Sequence, residues 1–97
     1  MVLLYERKVT SSTWKLTLNP SKLSNPDADL RYTIPEKIEK LSDNQLHDNG
    51  YDYDDEDNMI IFMSSSSMDT EQAFLIASKA CQELGLEQEA IAIDENV

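Results

Sequence analysis

Ninety-seven residues with a net charge of −11, one cysteine and two glycines make one small domain (1–97), without a disulfide framework and too glycine-poor for a linker-like chain. No apolar stretch reaches the ~7–15 residues of a secretory leader core or the ~20 of a membrane span, so a cytoplasmic protein with no membrane association is expected. Residues 1–50 carry seven acids and seven bases, residues 51–97 twelve acids and one base, Lys79; such a surface repels phosphate backbones, so no nucleic-acid partner is expected, and it attracts a basic protein.

In chain order, VLLYERKV (2–9) and TWKLTL (13–18) read as two strands joined by a short hairpin at Thr10–Ser12. In the second, Trp14, Leu16 and Leu18 fall on one face and Thr13, Lys15 and Thr17 on the other, a period of two. Residues 19–32 hold two Asn-Pro pairs and no defensible period, so a long loop is expected there.

A first helix is then expected. Thr33 and Glu36 form a T-x-x-E capping box with Pro35 in the first turn. Ile34, Ile38, Leu41 and Leu46 give its apolar stripe, and Gly50 is its stop. YDYDD (51–55) and NMIIFM (58–63) read as a second hairpin, followed by four serines.

A second helix starts at Asp69, with Gln72 completing a capping box. Ala73, Ala77, Ala80, Cys81 and Leu84 line one face, with Phe74 and Ile76 widening it. Gly85 ends it in a left-handed turn, and EAIAI (89–93) is a last strand. The order ββαββαβ implies an α+β fold, a mainly antiparallel sheet with two helices on one face. NMIIFM is apolar on both faces, so the face away from the helices is expected to be covered, by the 19–32 loop or by a second copy in a homodimer.

The acidic stretch YDYDDEDN (51–58) is the sharpest local feature. As a calcium loop it fails. Asp52, Asp54 and Glu56 take positions 1, 3 and 5, but Asp57 stands where glycine is needed and Met63 where a bidentate glutamate is needed. A D-x-D phosphoryl-transfer site wants its acids at the end of a buried apolar strand, with a lysine and a Ser/Thr elsewhere, and GYDYD is not such a strand. It suits a hairpin turn, where Asp and Asn bond their own backbone. An exposed turn is also where a partner meets charge, so Asp52, Asp54, Asp55, Glu56 and Asp57 are the candidate partner-binding residues.

No catalytic residue, metal site or cofactor is assigned. His47 is placed near the end of the first helix, where a cation is favoured. Cys81 lies on an apolar stripe and reads as a buried structural thiol. The serines at 64–67 have no evident base, and two glycines provide no phosphate loop.

In size, charge and the run NGYDYDDEDNMIIF before a helix, the chain resembles small acidic immunity proteins of bacterial toxin systems. That resemblance implies an inhibitor whose carboxylates occupy the cationic site of a nuclease-like toxin. The expectation is a non-enzymatic interaction module for a basic partner. The alternative is a homo-oligomeric small-ligand-binding or regulatory domain.

Overall fold

The computed structural model describes residues 12–96. Four strands, β1 (Ser12–Leu18), β2 (His47–Tyr53), β3 (Met59–Ser65) and β4 (Ile91–Glu95), and two helices, α1 (Leu30–Leu41) and α2 (Thr70–Glu83), make an α+β domain. The sheet is antiparallel in the order β2-β3-β1-β4. The strand expected over 2–9 lies outside the described residues.

Alternation decides which face meets the helices. Trp14, Leu16 and Leu18 of β1 lie opposite Met63, Ile61 and Met59 of β3. All six are buried, and they form one core with Ile34 and Ile38 of α1 and Ala73, Ala77, Ala80 and Cys81 of α2. The Trp14 indole N–H is satisfied by Thr70 Oγ1 at 3.1 Å, and the Thr70 hydroxyl donates to Glu95 Oε2 at 2.6 Å. A buried indole needs such a partner.

The second face is less apolar than the sequence suggests. The register sets Lys15 opposite Phe62 and Thr17 opposite Ile60 on one side of β1, and Asp94 and Ala92 on the other. Among the described residues its apolar content narrows to half-buried Ile60 and Phe62, beside polar or small neighbours.

Helix α2 follows the sequence reading. Asp69 accepts from the Gln72 backbone N–H at 2.9 Å, and the Gln72 side chain accepts from the Asp69 N–H at 3.3 Å. At the other end Gly85 has φ +77, Leu86 N–H donates to Cys81 C=O and Gly85 N–H to Gln82 C=O. This is the glycine-ended motif in which a left-handed residue turns the last orphan carbonyls back onto the chain.

Helix α1 departs from it at both ends. It starts at Leu30 behind Asp29, one turn ahead of the Thr33 box, so Pro35 sits inside the helix. Leu30 is buried and extends the stripe of Ile34 and Ile38 back by one turn, and that apolar contact outweighs the local capping signal. The expected loop is thus shorter, and it holds a 3-10 turn at Pro20–Lys22 capped by Asn19.

Gly50 does not end α1. Asp43 and Asn44, at φ +57 and +63, do so, with Asn44 N–H bonded to Glu39 C=O and Asp43 N–H to Lys40 C=O. Gly50, at φ +98, instead serves an extra residue in β2 between Asp48 and Tyr51, a β-bulge. The strand therefore begins at His47 rather than at Tyr51, and His47 belongs to β2 rather than to a helix end. Leu46 is fully buried, but from the connection and not from the helix; its N–H is held by the Ser42 hydroxyl at 3.0 Å. The last strand likewise starts two residues late, after a 3-10 turn at Gln88–Ala90.

Candidate functional site

The β2–β3 turn is built by one side chain. Asp54 Oδ1 accepts the backbone N–H of Glu56 and of Asn58, both at 2.9 Å, and Oδ2 accepts the Asn58 amide at 3.0 Å. Its backbone N–H reaches Asn58 C=O, and Asp57 N–H returns to Asp54 C=O. Asp55, Glu56 and Asp57 form the three-residue tip, with Asp57 in the left-handed region at φ +63. Hydrogen bonding from Asn58, side chain first and then backbone, holds the Asp54 carboxyl below its ordinary pKa, because those donors favour the charged form.

The five candidate residues therefore divide by role. Asp54 is half-buried and spent on the turn. Asp52 lies on β2 facing away from the helices, with Oδ1 accepting the Tyr53 N–H at 2.8 Å. Asp55, Glu56 and Asp57 are exposed. Among the described residues none of these carboxylates is in an ion pair; the pair that does form, Lys37–Glu83 at 2.9 Å, ties α1 to α2.

The acids of the second half are not spread evenly. The register sets the turn at the same end of the sheet as the β1–α1 connection and the Gln88–Ala90 turn, since Met59 pairs with Leu18 and Leu18 with Ile91. Asn19 N–H bonds Ala90 C=O there, and the Ser24 hydroxyl and N–H hold Glu87. Asp27, Glu87 and Glu89 thus share that end with the turn. Asp69 and Glu95 lie at the other end, beside Ser65 and Thr70. Asp52 and Asp54–Asp57 thus cluster at the turn end, together with Lys22 of the Pro20–Lys22 turn and Arg31 beside Tyr53, while Asp69 and Glu95 lie apart from them.

Beside the turn stands a group that the sequence reading did not single out. On the helix side of β2, Tyr51 and Tyr53 lie edge to face at 5.9 Å, and Tyr32 of α1 lies edge to face with Tyr51 at 5.9 Å. The Arg31 guanidinium sits 4.8 Å from the Tyr32 ring centre and 5.5 Å from that of Tyr51, and its Nη1 donates to the Tyr53 hydroxyl at 3.4 Å. All three rings are exposed, by 55%, 41% and 44%. Large aromatic rings this open are costly to leave in water and are common at contact surfaces. The signal in the sequence was Tyr51 and Tyr53 at strand spacing; Tyr32 joins only because α1 starts at Leu30.

Titration of the row is shared. The neighbouring Arg31, and then Tyr51, lowers the pKa of the Tyr32 hydroxyl, while Tyr32 raises that of Tyr51. Tyr32, and next Tyr53, raise the already high pKa of Arg31, so its charge is permanent. Arg31 Nε is buried without a hydrogen-bond partner among the described residues, so what holds the guanidinium is the ring faces and the Tyr53 hydroxyl.

Below Tyr53 lies a cavity of about 250 Å³. Leu18, Leu23, Pro26, Leu30 and Met59 line it together with Asp27, whose Oδ1 accepts the Asp29 N–H at 2.9 Å. Elsewhere, His47 is exposed and faces Ser64 across the ladder, and among the described residues no side-chain hydrogen bond joins the two. Cys81 is fully buried, and burial pushes its thiol up to about 12. Ser65 is buried and accepts the Ser67 N–H, and Ser67 bonds Gln45, so these serines close a turn. Among the described residues no three His, Cys, Asp or Glu come together as a metal site, and no helix is long and apolar enough to cross a membrane.

No protein-family model matches the chain, and neither the curated proteins nor the solved structures give a significant match.

Proposed function

We propose that the protein is a non-enzymatic interaction module that docks a basic partner protein on its acidic turn. The observation that carries this reading is the adjacency of the carboxylates at Asp55–Asp57, which have no ion-pair partner among the described residues, to the exposed row Tyr32–Tyr51–Tyr53. Carboxylates steer a cationic surface and set its register. Tyrosines add rigid contact area at low entropic cost, and their faces accept lysine or arginine. An inhibitor or immunity protein, capping the cationic site of a toxin that binds phosphates, is the most specific form of the proposal. Capture of the partner at low and high salt tests it. Asp52, Asp54 and Asp57 changed to Asn with Asp55→Asn and Glu56→Gln must weaken capture sharply at low salt; unchanged capture refutes it.

A second reading, a homo-oligomeric ligand-binding or regulatory domain, has half-buried Ile60 and Phe62 on the sheet face turned away from the helices in its favour. Light scattering separates the two. A dimer that Phe62→Lys dissociates supports the second reading, and a concentration-independent monomer removes it.

A further inference from the structure

We propose that the cavity beside Tyr53 receives one apolar side chain, of leucine or phenylalanine type, borne on the basic segment that docks at the acidic turn. The proposal rests on the docking reading above and specifies what that segment must carry. Tyr53 is the shared element: it ends the tyrosine row and walls the cavity, and the turn begins at the next residue. A segment lying along the turn therefore passes the mouth of the cavity.

The chemistry of the cavity selects its occupant. Small-molecule sites run to ~300–1,000 Å³ with several convergent polar groups. This cavity has about 250 Å³ and walls of Leu18, Leu23, Leu30 and Met59, with Asp27 as its charged group. That suits a single hydrocarbon side chain and disfavours a polar metabolite. The surroundings select what flanks the anchor. Asp27 lines the cavity, and the acidic turn begins at Asp54, next to Tyr53, so lysine or arginine beside the anchor meets opposite charge, whereas an acidic or neutral segment does not. A buried anchor with a charged surround is the usual energetic arrangement of a contact surface.

Two acetylated lysine–arginine peptides test this, one with a central leucine and one with glycine in its place. Both are titrated into the full-length protein by calorimetry at low and high salt, with methyl NMR spectra in parallel. The leucine peptide is expected to bind about tenfold more tightly, the gain from burying one such side chain, and to move the methyl signals of Leu18, Leu23 and Met59. Ala28→Trp, which sets a ring at an exposed position in the cavity lining, is expected to abolish that gain and leave the glycine peptide unaffected. Equal affinities, or a gain that survives Ala28→Trp, overturn the anchor while salt-dependent binding of the glycine peptide keeps the docking reading intact. No binding of either peptide at low salt overturns both. Methyl shifts that grow with protein concentration alone mean that a second copy fills the cavity, and they overturn the anchor too.

Discussion

Tyr53 lies opposite Met59 in the β2–β3 ladder, and this pairing joins the edge of the sheet to the cavity under the acidic turn. Because Tyr51 and Tyr53 keep the same parity as Met59 and Ile61, both rings stand on the helix side of β2, where Tyr32 and Arg31 meet them. The carboxylate of Asp52 is sent to the opposite face by the same rule. One strand thus presents rings to one side and charge to the other, ahead of a turn that is almost all acid.

The tyrosine row predicts a split titration. Tyr32 ionises below the ordinary tyrosine value and Tyr51 above it, since Arg31 beside the first favours its phenolate and the neighbouring Tyr32 favours the phenol of the second. Ring-labelled tyrosine NMR over an alkaline titration, with Tyr→Phe variants for assignment, is expected to resolve two steps. Arg31→Gln is expected to move the earlier step up toward the ordinary value. Coincident midpoints in the parent protein contradict the arrangement.

Asp54 predicts an acid limb of stability. Its folded pKa is depressed, so the unfolded chain takes up the proton first; the stabilisation is fully present above the unfolded value and is lost as pH falls through the folded one. Thermal unfolding below about pH 4 is expected to fall more steeply for the parent than for Asp54→Asn, which keeps an acceptor but carries no charge. At neutral pH the net −11 works in the other direction. Added sodium chloride is expected to raise the melting temperature by screening self-repulsion.

The helix ends predict opposite effects of glycine. Gly85 is at φ +77 with open space where a Cβ would stand, so Gly85→Ala is expected to cost ~1 kcal/mol of stability from backbone strain alone. Asp43 holds the equivalent place after α1 at φ +57, so Asp43→Gly is expected to gain a few tenths to ~1 kcal/mol. Urea unfolding of the two variants checks both signs.

Much of this fold was legible because sequence and packing agree. The alternation of Trp14, Leu16 and Leu18, the capping box of Asp69 and Gln72, and Gly85 after the alanine stripe each state one local rule that the tertiary structure obeys. The errors cluster around α1, where two rules competed. Thr33 and Glu36 make a sound start signal, yet burying Leu30 brings the start forward. Asp43 and Asn44 adopt the left-handed turn without glycine, which aspartate and asparagine can do because a short polar side chain tolerates it. Reading Gly50 as the helix stop hides the first half of β2, and His47 and the bulge with it. The acidic turn was legible as a turn. The tyrosine row was not, because Tyr32 reaches Tyr51 only through the packing of α1 on β2.

Cys81 predicts chemical silence. Its thiol is buried and pushed up to about 12, so at pH 8 only about one molecule in ten thousand carries thiolate. A disulfide reagent is expected to leave the native protein unmodified and to react fully after denaturation. Rapid modification of the native protein contradicts the burial.

The central claim is that the carboxylates of the turn recognise a cationic partner. Its most direct measurement is calorimetric titration of an arginine-rich peptide into the parent protein and into the variant with Asp52, Asp54, Asp55, Glu56 and Asp57 all made neutral, at low and high salt. The account predicts at least about tenfold weaker binding by the variant at low salt, with the difference vanishing at high salt. Equal affinity of parent and variant, with both proteins folded, contradicts it.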